Sequence, residues 1–554
     1  MKTVKKYLNR ALQNLSARQT PQIIPIPGRN MVRNEADGYV FPVDDFQRLR
    51  RFLILGSEKG TYYASESTLT LENVSCLYRV LETDPVRAID QIVDISVGGR
   101  AASNEPAIFA LAAAASFKGE NELTVRKYAL AQLNQVCRAA THVFSFVGYV
   151  QNMRGWGRGL RNAVANWYTN RSAADLAYQV VKYRQRNGWT HLDLLRLSHP
   201  KSEDADIEGV LNWIAKPDKY STDVPIVGKD DPLARIHAFR LLQSEKSRDK
   251  VVNLIVDYRM PREAVPTEWL KDKTIWEALL DEMPMTALIR NIGNMTAYGL
   301  LTSASKATSE VIRRLCSQES LRAARIHPIQ VLNALHVYAG GRRLKGAASY
   351  RNYGQAEWTP VPRIVDALDD AFRLAFGAVE PTNKRIMLAL DISASMMWGF
   401  IAGMALTPRE ASAAMALVTA GVEDHCLVTG FAHGIVPLDI TGRMRLQDAI
   451  RYVRGLPFGG TDCSLPMLYA TKRGLNIDTF VIYTDNETWA GEIHPIEALM
   501  RYRQKSGIPA KLITVGMTST GFSIADPEDS GTLDVVGFDI TTPAIISDFS
   551  ANGF

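Results

Sequence analysis

The chain has 554 residues, too many for one hydrophobic core, so two or more domains are expected. Composition is that of a globular protein, 46% hydrophobic and 22% charged, and the absence of any apolar run of about 18 residues excludes a membrane-spanning helix. Net charge is +6 but uneven: residues 381–554 carry 13 Lys and Arg against 18 Asp and Glu, and residues 1–380 carry 51 against 40, which points to a polyanionic partner for the first part.

Residues 1–30 read as a flexible N-terminal arm ending in a Pro-rich stretch, with a tail that docks on the body as the alternative, and their basic start lacks the apolar core of a secretory signal. Tyr39-Val-Phe41 and Gly60-Thr-Tyr-Tyr63 suggest short β pieces around one helix. From about 69 to 345 the signals are almost all helical. Periodic segments lie near 123–138, 157–168, 172–186, 203–215, 232–244, 248–258, 285–293, 307–316 and 328–338, separated by Gly, Pro and Asp. Helices of this length with short connections suggest an α-solenoid or a ring of paired helices. Trp358-Thr-Pro-Val-Pro362 breaks the pattern before one more amphipathic helix. After Pro381 strands (385–390, 425–431, 478–483, 510–515) alternate with helices (408–420, 444–453, 464–473, 495–505), which implies a parallel sheet covered on both faces. The expected architecture is multidomain: arm 1–30, all-α helical-repeat ring 31–365, and a doubly wound α/β domain 366–554. Five widely spaced cysteines without CxxC argue against a disulfide framework or a thiolate zinc site and favour a reducing compartment.

The apolar run Ile386 to Leu390 stops at Asp391-Ile-Ser393-Ala-Ser395. One carboxylate and two hydroxyls at the carboxyl end of a strand suit a hard cation such as Mg²⁺. Two further loops can complete the set: Phe458-Gly-Gly-Thr461-Asp462, and the strand end Thr484-Asp485-Asn-Glu487. With these spacings the segment 384–554 resembles the von Willebrand factor A domains and their metal-ion-dependent adhesion site. The resemblance implies that Ser393 and Ser395 bind the cation directly and that Thr461 is a third, conformation-dependent ligand. Asp391 and Asp485 would act directly or through water. Such a set under-neutralises a dication and leaves room for an acidic group of a partner protein. The plainer alternative is that Asp391 and Asp485 only cap turns. A haloacid-dehalogenase phosphatase would need a second acid two positions after Asp391, where Ser393 stands. HExxH, GxSxG and Walker patterns are missing, so no catalytic residue is assigned and no enzyme is expected.

Residues 154–201 hold nine Lys and Arg against two acids, interleaved with Trp156, Trp167, Tyr168, Tyr178, Tyr183 and Trp189. Spacing places Tyr178, Lys182 and Arg186 on one helix face. Cations there can neutralise phosphates and rings can stack on splayed bases, unless this is a solvated helix whose aromatics are core.

Val181-Lys-Tyr-Arg-Gln-Arg-Asn-Gly-Trp through Ser-His-Pro-Lys201 resembles the Ro autoantigen family. So do Gly155-Trp-Gly-Arg158, Thr286-Ala-Leu-Ile-Arg-Asn-Ile-Gly293, Leu388 to Met396, Gly459-Gly-Thr-Asp-Cys463 and Tyr483-Thr-Asp-Asn-Glu-Thr488. The resemblance runs from about residue 31 to the C-terminus and suits a bacterial ortholog. It implies a TROVE domain, a closed ring of HEAT-like repeats sealed by the von Willebrand factor A domain. It also implies small Y RNAs on the basic outer surface, and structured or misfolded RNAs whose single-stranded ends enter the central hole. Lys182, Arg186 and His199 match family Y-RNA-binding positions, with Arg184 and Arg158 as basic neighbours. The resemblance further implies RNA quality control, a partnership with polynucleotide phosphorylase or another exoribonuclease, and a cytoplasmic monomer. A metal-dependent protein-interaction module without RNA as main ligand is the competing reading.

Overall fold

The computed structural model describes residues 19–57, 60–217, 231–342, 357–377, 379–399, 401, 406–457 and 459–552. Residues 1–18 of the expected arm and Phe458 of the expected metal loop lie outside the described residues.

Most of the chain up to Leu374 is helical, and element boundaries follow the apolar period closely. Helices span Glu66–Thr83, Pro85–Gly98, Glu105–Ala115, Ala140–Met153, Arg158–Thr169, Ala173–Lys182, Met285–Ala297 and Pro328–Ala339, among others. Their starts are capped as the sequence allows. Ser65 and Ser172 accept the amide of the third helical residue, and Pro85 and Pro328 occupy first-turn positions where a missing N–H costs nothing. Ala107 and Ala110 to Ala115 are fully buried, so Glu105–Ala115 packs closely against Ala140–Met153.

The last helices return to the first. Gln330 Nε2 donates to Ala102 O at 2.9 Å, and His327 Nε2 lies 3.2 Å from Arg100 O. The helical array is therefore a closed ring, and one cavity of about 660 Å³ lies among helices from distant parts of it.

Short strands β1 (Val32–Arg33) and β2 (Tyr39–Pro42) precede the ring, and β3 (Gln185–Arg186) and β4 (Trp189–Thr190) form a hairpin within it. The C-terminal domain carries β5 (Ile386–Asp391), β6 (Cys426–Phe431), β7 (Ile435–Pro437), β8 (Thr479–Thr484), β9 (Lys511–Gly516), β10 (Phe522–Ser523) and β11 (Thr532–Val536). Its six-stranded sheet has the order β11-β9-β8-β5-β6-β7, parallel except for β7. The chain runs β5 to β6 on one side and then crosses to β8 on the other, so the topological switch point lies at the carboxyl end of β5, where Asp391 stands. β5 and β8 are buried at every position, as their unbroken apolar runs require.

The β piece expected at Gly60–Tyr63 is a bend outside any strand, while the alternative of a docked N-terminal tail is what residues 19–42 adopt. Residues 19–42 are docked on the C-terminal domain: β2 pairs with β10, and Gln22 N donates to Gly491 O at 2.9 Å. The boundary range expected at 365–384 begins within the helix Pro362–Leu374, whose apolar face packs on Pro328–Ala339 and Lys306–Leu315, and extends beyond it. The two domains are joined by buried contacts. Fully buried Arg51 donates to Thr520 O (2.8 Å) and Phe522 O (2.7 Å) and pairs with Asp534, and Arg100 pairs with Asp539.

Candidate RNA-binding ring and cation site

The basic hairpin is where periodicity misled. The helix Ala173–Lys182 ends at Lys182, and Asn187 and Gly188 both adopt positive φ (52° and 80°), closing a two-residue hairpin between β3 and β4. Tyr178 and Lys182 do share a face, with Lys182 Nζ donating to Tyr178 Oη at 3.0 Å, but Arg186 is in β3.

The hairpin divides the expected RNA residues between two places. Lys182 and Arg184 line a cleft of about 520 Å³ with Gln185, Thr190 and Glu263. The Lys182 ammonium lies 5.1 Å from the ring centres of both Tyr178 and Tyr183. Burial works against its charge, but Tyr183 and Tyr178 outweigh burial and hold the amine above its usual value. Arg184 sits over Phe239. His199 is exposed in a left-handed conformation at the end of the helix His191–Ser198, and Arg158 is exposed at the start of Arg158–Thr169. Among the described residues the interleaved rings offer no exposed stacking platform. Trp167 and Tyr168 are core, Trp189 is half-buried against Gly148 and Trp156, and Arg171 stacks on Trp167.

Arg186 instead lines the cavity of about 660 Å³, with Arg138, Arg290, Arg325 and His142. Sequence reasoning missed these last four, since they come from stretches far apart, and Arg290, though inside the Thr286–Gly293 stretch, carried no assigned role. Their charges press on one another. Burial and then Arg325 lower the Arg138 guanidinium, and burial, Arg138 and Arg186 push His142 down to about 4. Arg138 is held in place by Ser96 O (3.0 Å) and Gln135 O (2.7 Å). A cavity lined by four guanidiniums, with Glu105 the one acid among its described lining residues, favours a polyanion.

At the switch point the structure brings together Asp391, Ser393, Ser395 and Asp485, all buried. Ser393 N donates to Asp391 Oδ1 (2.9 Å) and Thr484 Oγ1 to Asp391 Oδ2 (2.7 Å). Ser395 donates to Asp485, and Ser393 Oγ stands 3.0 Å from Ser395 Oγ. Thr461 is buried beside them, its carbonyl accepting from Trp489 N (3.1 Å) and Ala490 N (3.0 Å). Among the described residues no hydrogen bond joins its hydroxyl to either serine.

The donor set fits a hard dication. Adjacent ligands of an octahedral Mg²⁺ are about 2.9 Å apart, close to the serine spacing. The carboxyls are uncompensated: burial and Asp485 push Asp391 up to about 7, burial raises Asp485, and burial and Asp485 push Glu487 up to about 9. Glu487 Oε1 is buried without a partner. Among the described residues no group of three or more His, Cys, Asp or Glu is arranged to hold a metal, so any cation here would depend on hydroxyl ligands.

The docked N-terminal segment holds this site together, which the sequence did not reveal. Gln22 Nε2 donates to Asp462 Oδ1 (2.8 Å) and Ile493 O (2.9 Å), and its Oε1 accepts from Thr488 Oγ1 (2.5 Å). Asn34 Nδ2 donates to Thr488 O at 2.9 Å, and Ala36 N to Glu487 Oε2 at 3.0 Å. Gly38 is required, because a Cβ there would fall 1.9 Å from Thr488 O.

Family models match both parts of the chain, a TROVE domain over residues 32–352 and a Ro60 vWA domain over 385–550. The chain is 40% identical to the RNA-binding protein RO60 of Deinococcus radiodurans over 98% of its own length and 99% of that protein's. The chain belongs to the Ro60 family. A Caenorhabditis elegans RNA-binding protein RO60 is 36% identical, over 94% of this chain and 90% of that one. The crystal structure of the Deinococcus radiodurans RO protein superposes with a TM-score of 0.67, covering 92% of this chain and 99% of that one. The family models leave residues 353–384 between them, consistent with a boundary after the helix Pro362–Leu374.

Proposed function

We propose that this Ro60 family member is a non-catalytic RNA-binding protein. The observation that carries the reading is the cavity with Arg138, Arg186, Arg290 and Arg325 on its walls. It supports entry of a single strand, since four guanidiniums from separate helices and the β3 strand line one cavity and can meet successive phosphates. The cleft of Lys182 and Arg184, with His199 and Arg158 exposed nearby in sequence, is the proposed outer site for a Y RNA. Structured or misfolded RNAs with single-stranded ends are the proposed ligands of the cavity. RNA quality control with an exoribonuclease such as polynucleotide phosphorylase, by a cytoplasmic monomer, belongs to the same proposal. Sequencing of the RNA that copurifies with the full chain is the test: small stem-loop RNAs are expected, and nucleic-acid-free protein that binds no oligonucleotide in a gel shift would overturn it.

The C-terminal site favours a second role beside the first. Ser393, Ser395, Asp391, Asp485 and, after a loop adjustment, Thr461 would hold Mg²⁺, which supplies an open position for an anionic oxygen of a partner protein. The serine spacing of 3.0 Å and the uncompensated carboxyls support it. Calorimetric titration with Mg²⁺ alone tests it, and no heat of binding would reject it.

A further inference from the structure

Four large apolar side chains around the candidate cation site are left in solvent: Tyr62 (53% exposed), Met397 (43%), Trp398 (57%) and Trp489 (39%). Exposed apolar residues are ordinary singly but mark interaction sites when they gather. Here they gather across the domain boundary. The Tyr62 ring, from the helical domain, meets the Trp398 ring edge-to-face at 6.4 Å, and Tyr62 meets Tyr63 at 4.9 Å. The Tyr63 hydroxyl receives the Trp489 indole N–H and faces Asp485, Glu487 and Asp391. Trp489 in turn lies on Gly460, where a Cβ would come within 2.9 Å of its ring, and its amide is tied to Thr461 O. Trp398 follows Ser395 by three residues at the end of a 3₁₀ turn. The loops beneath are pinned, since a Cβ on Gly399 would lie 2.7 Å from Gly60 O. The face is thus tied through Tyr63 and Trp489 to the acids and the Thr461 loop of the candidate cation site.

We infer that Tyr62, Met397, Trp398 and Trp489 form one two-domain face that seats the apolar side chain beside an acidic residue of a partner protein, the acid completing the cation at Ser393 and Ser395. The inference rests on the Mg²⁺ reading of that site. Charge decides between partner classes. Asp391 and Asp485 lie behind the face and are ionised once a dication is bound, so a nucleic-acid strand would bring repeated negative charge against them. A single carboxylate brings one charge to the dication and lets its neighbours bury apolar area. Trp, Tyr and Met are also the side chains that concentrate binding energy in protein interfaces.

The test uses the full chain and two blocked heptapeptides with one central aspartate, flanked by Phe and Leu in one and by Ser in the other. Binding is followed by tryptophan fluorescence and calorimetry in Mg²⁺ and in EDTA. The apolar-flanked peptide is expected to bind about tenfold more tightly in Mg²⁺, the effect of burying one apolar side chain, and to lose that binding in EDTA. Tyr62→Ala with Trp398→Ala should erase the tenfold preference while leaving the affinity for Mg²⁺ alone unchanged. Mg²⁺ binding without a preference between the peptides, or a preference that survives the double substitution, overturns the inference alone. No Mg²⁺ binding by the wild-type chain overturns the cation reading and the inference with it. Displacement of the peptide by an oligouridylate dodecamer that itself weakens on the double variant assigns the face to nucleic acid instead and overturns the inference.

Discussion

His327 donates its Nε2–H to the carbonyl of Phe538 at 2.8 Å. Its Nδ1 accepts from Ile329 N at 3.2 Å, which fixes the tautomer, and Nε2 also faces Arg100 O. One imidazole therefore touches the start of the ring, the end of the ring and the C-terminal domain.

Burial pushes His327 down to about 4, and His142 and His191 likewise. The unfolded value is about 6.5, so the unfolded chain takes protons first as pH falls. The contribution of each buried imidazole is fully present above about pH 6.5 and is lost as pH drops toward 4, by up to about 3 kcal/mol per group. Urea midpoints measured at pH 7.5 and 5 should differ, and His327→Gln should shrink the difference. An equal difference in the variant would show that His327 is not among the groups responsible.

Gln22 bridges the loops of Thr461 and Asp485 through Asp462 and Thr488. Gln22→Ala leaves buried partners unmet and should destabilise the chain by about 2–4 kcal/mol. It should also weaken Mg²⁺ binding without removing any proposed ligand. Calorimetry showing unchanged Mg²⁺ affinity would limit Gln22 to a stabilising part.

The two basic places should separate by ligand. Arg138→Ala with Arg290→Ala should weaken binding of a short single strand, and the log–log salt slope should fall by about 0.7 for each phosphate that is no longer neutralised. Lys182→Ala with Arg184→Ala should instead weaken a stem-loop RNA. Arg186→Ala should behave as a cavity variant, given its place beside His142. Gel shifts in which all three lose both ligands equally would refute the division.

Asp391→Asn removes a buried carboxyl already held up near 7 by burial and Asp485. A raised acid weighs against folding as pH rises through its folded value, so the variant should be more stable than wild type at pH 8 in EDTA. The same variant should lose any Mg²⁺-dependent rise in Tm. Thermal melts with and without Mg²⁺ check both halves.

What the sequence revealed here was what is local. β5, β6, β8 and β9 each start one residue after their expected start, because fully buried parallel strands write themselves as continuous apolar runs. The candidate cation set was legible because strand ends and Gly-Gly turns are short-range signals. The hairpin at Asn187-Gly188 was legible too, but the i, i+4 spacing of Tyr178, Lys182 and Arg186 was followed instead, and it placed Arg186 on the wrong element. The cavity arginines and the anchoring by Gln22 and Asn34 were not legible. Their partners lie hundreds of residues away, and no local pattern encodes a ring closure or a docked segment.

The pairing of β2 with β10 has a consequence for how the chain is made. Phe41 leaves the ribosome about 480 residues before its partner Ser523. The helical array must take shape while the segment that will close over Asp485 waits unpaired. Assembly of the C-terminal site is thereby postponed until translation has passed Ser523, so chains terminated before it would carry the arginine-lined cavity without a finished candidate cation site.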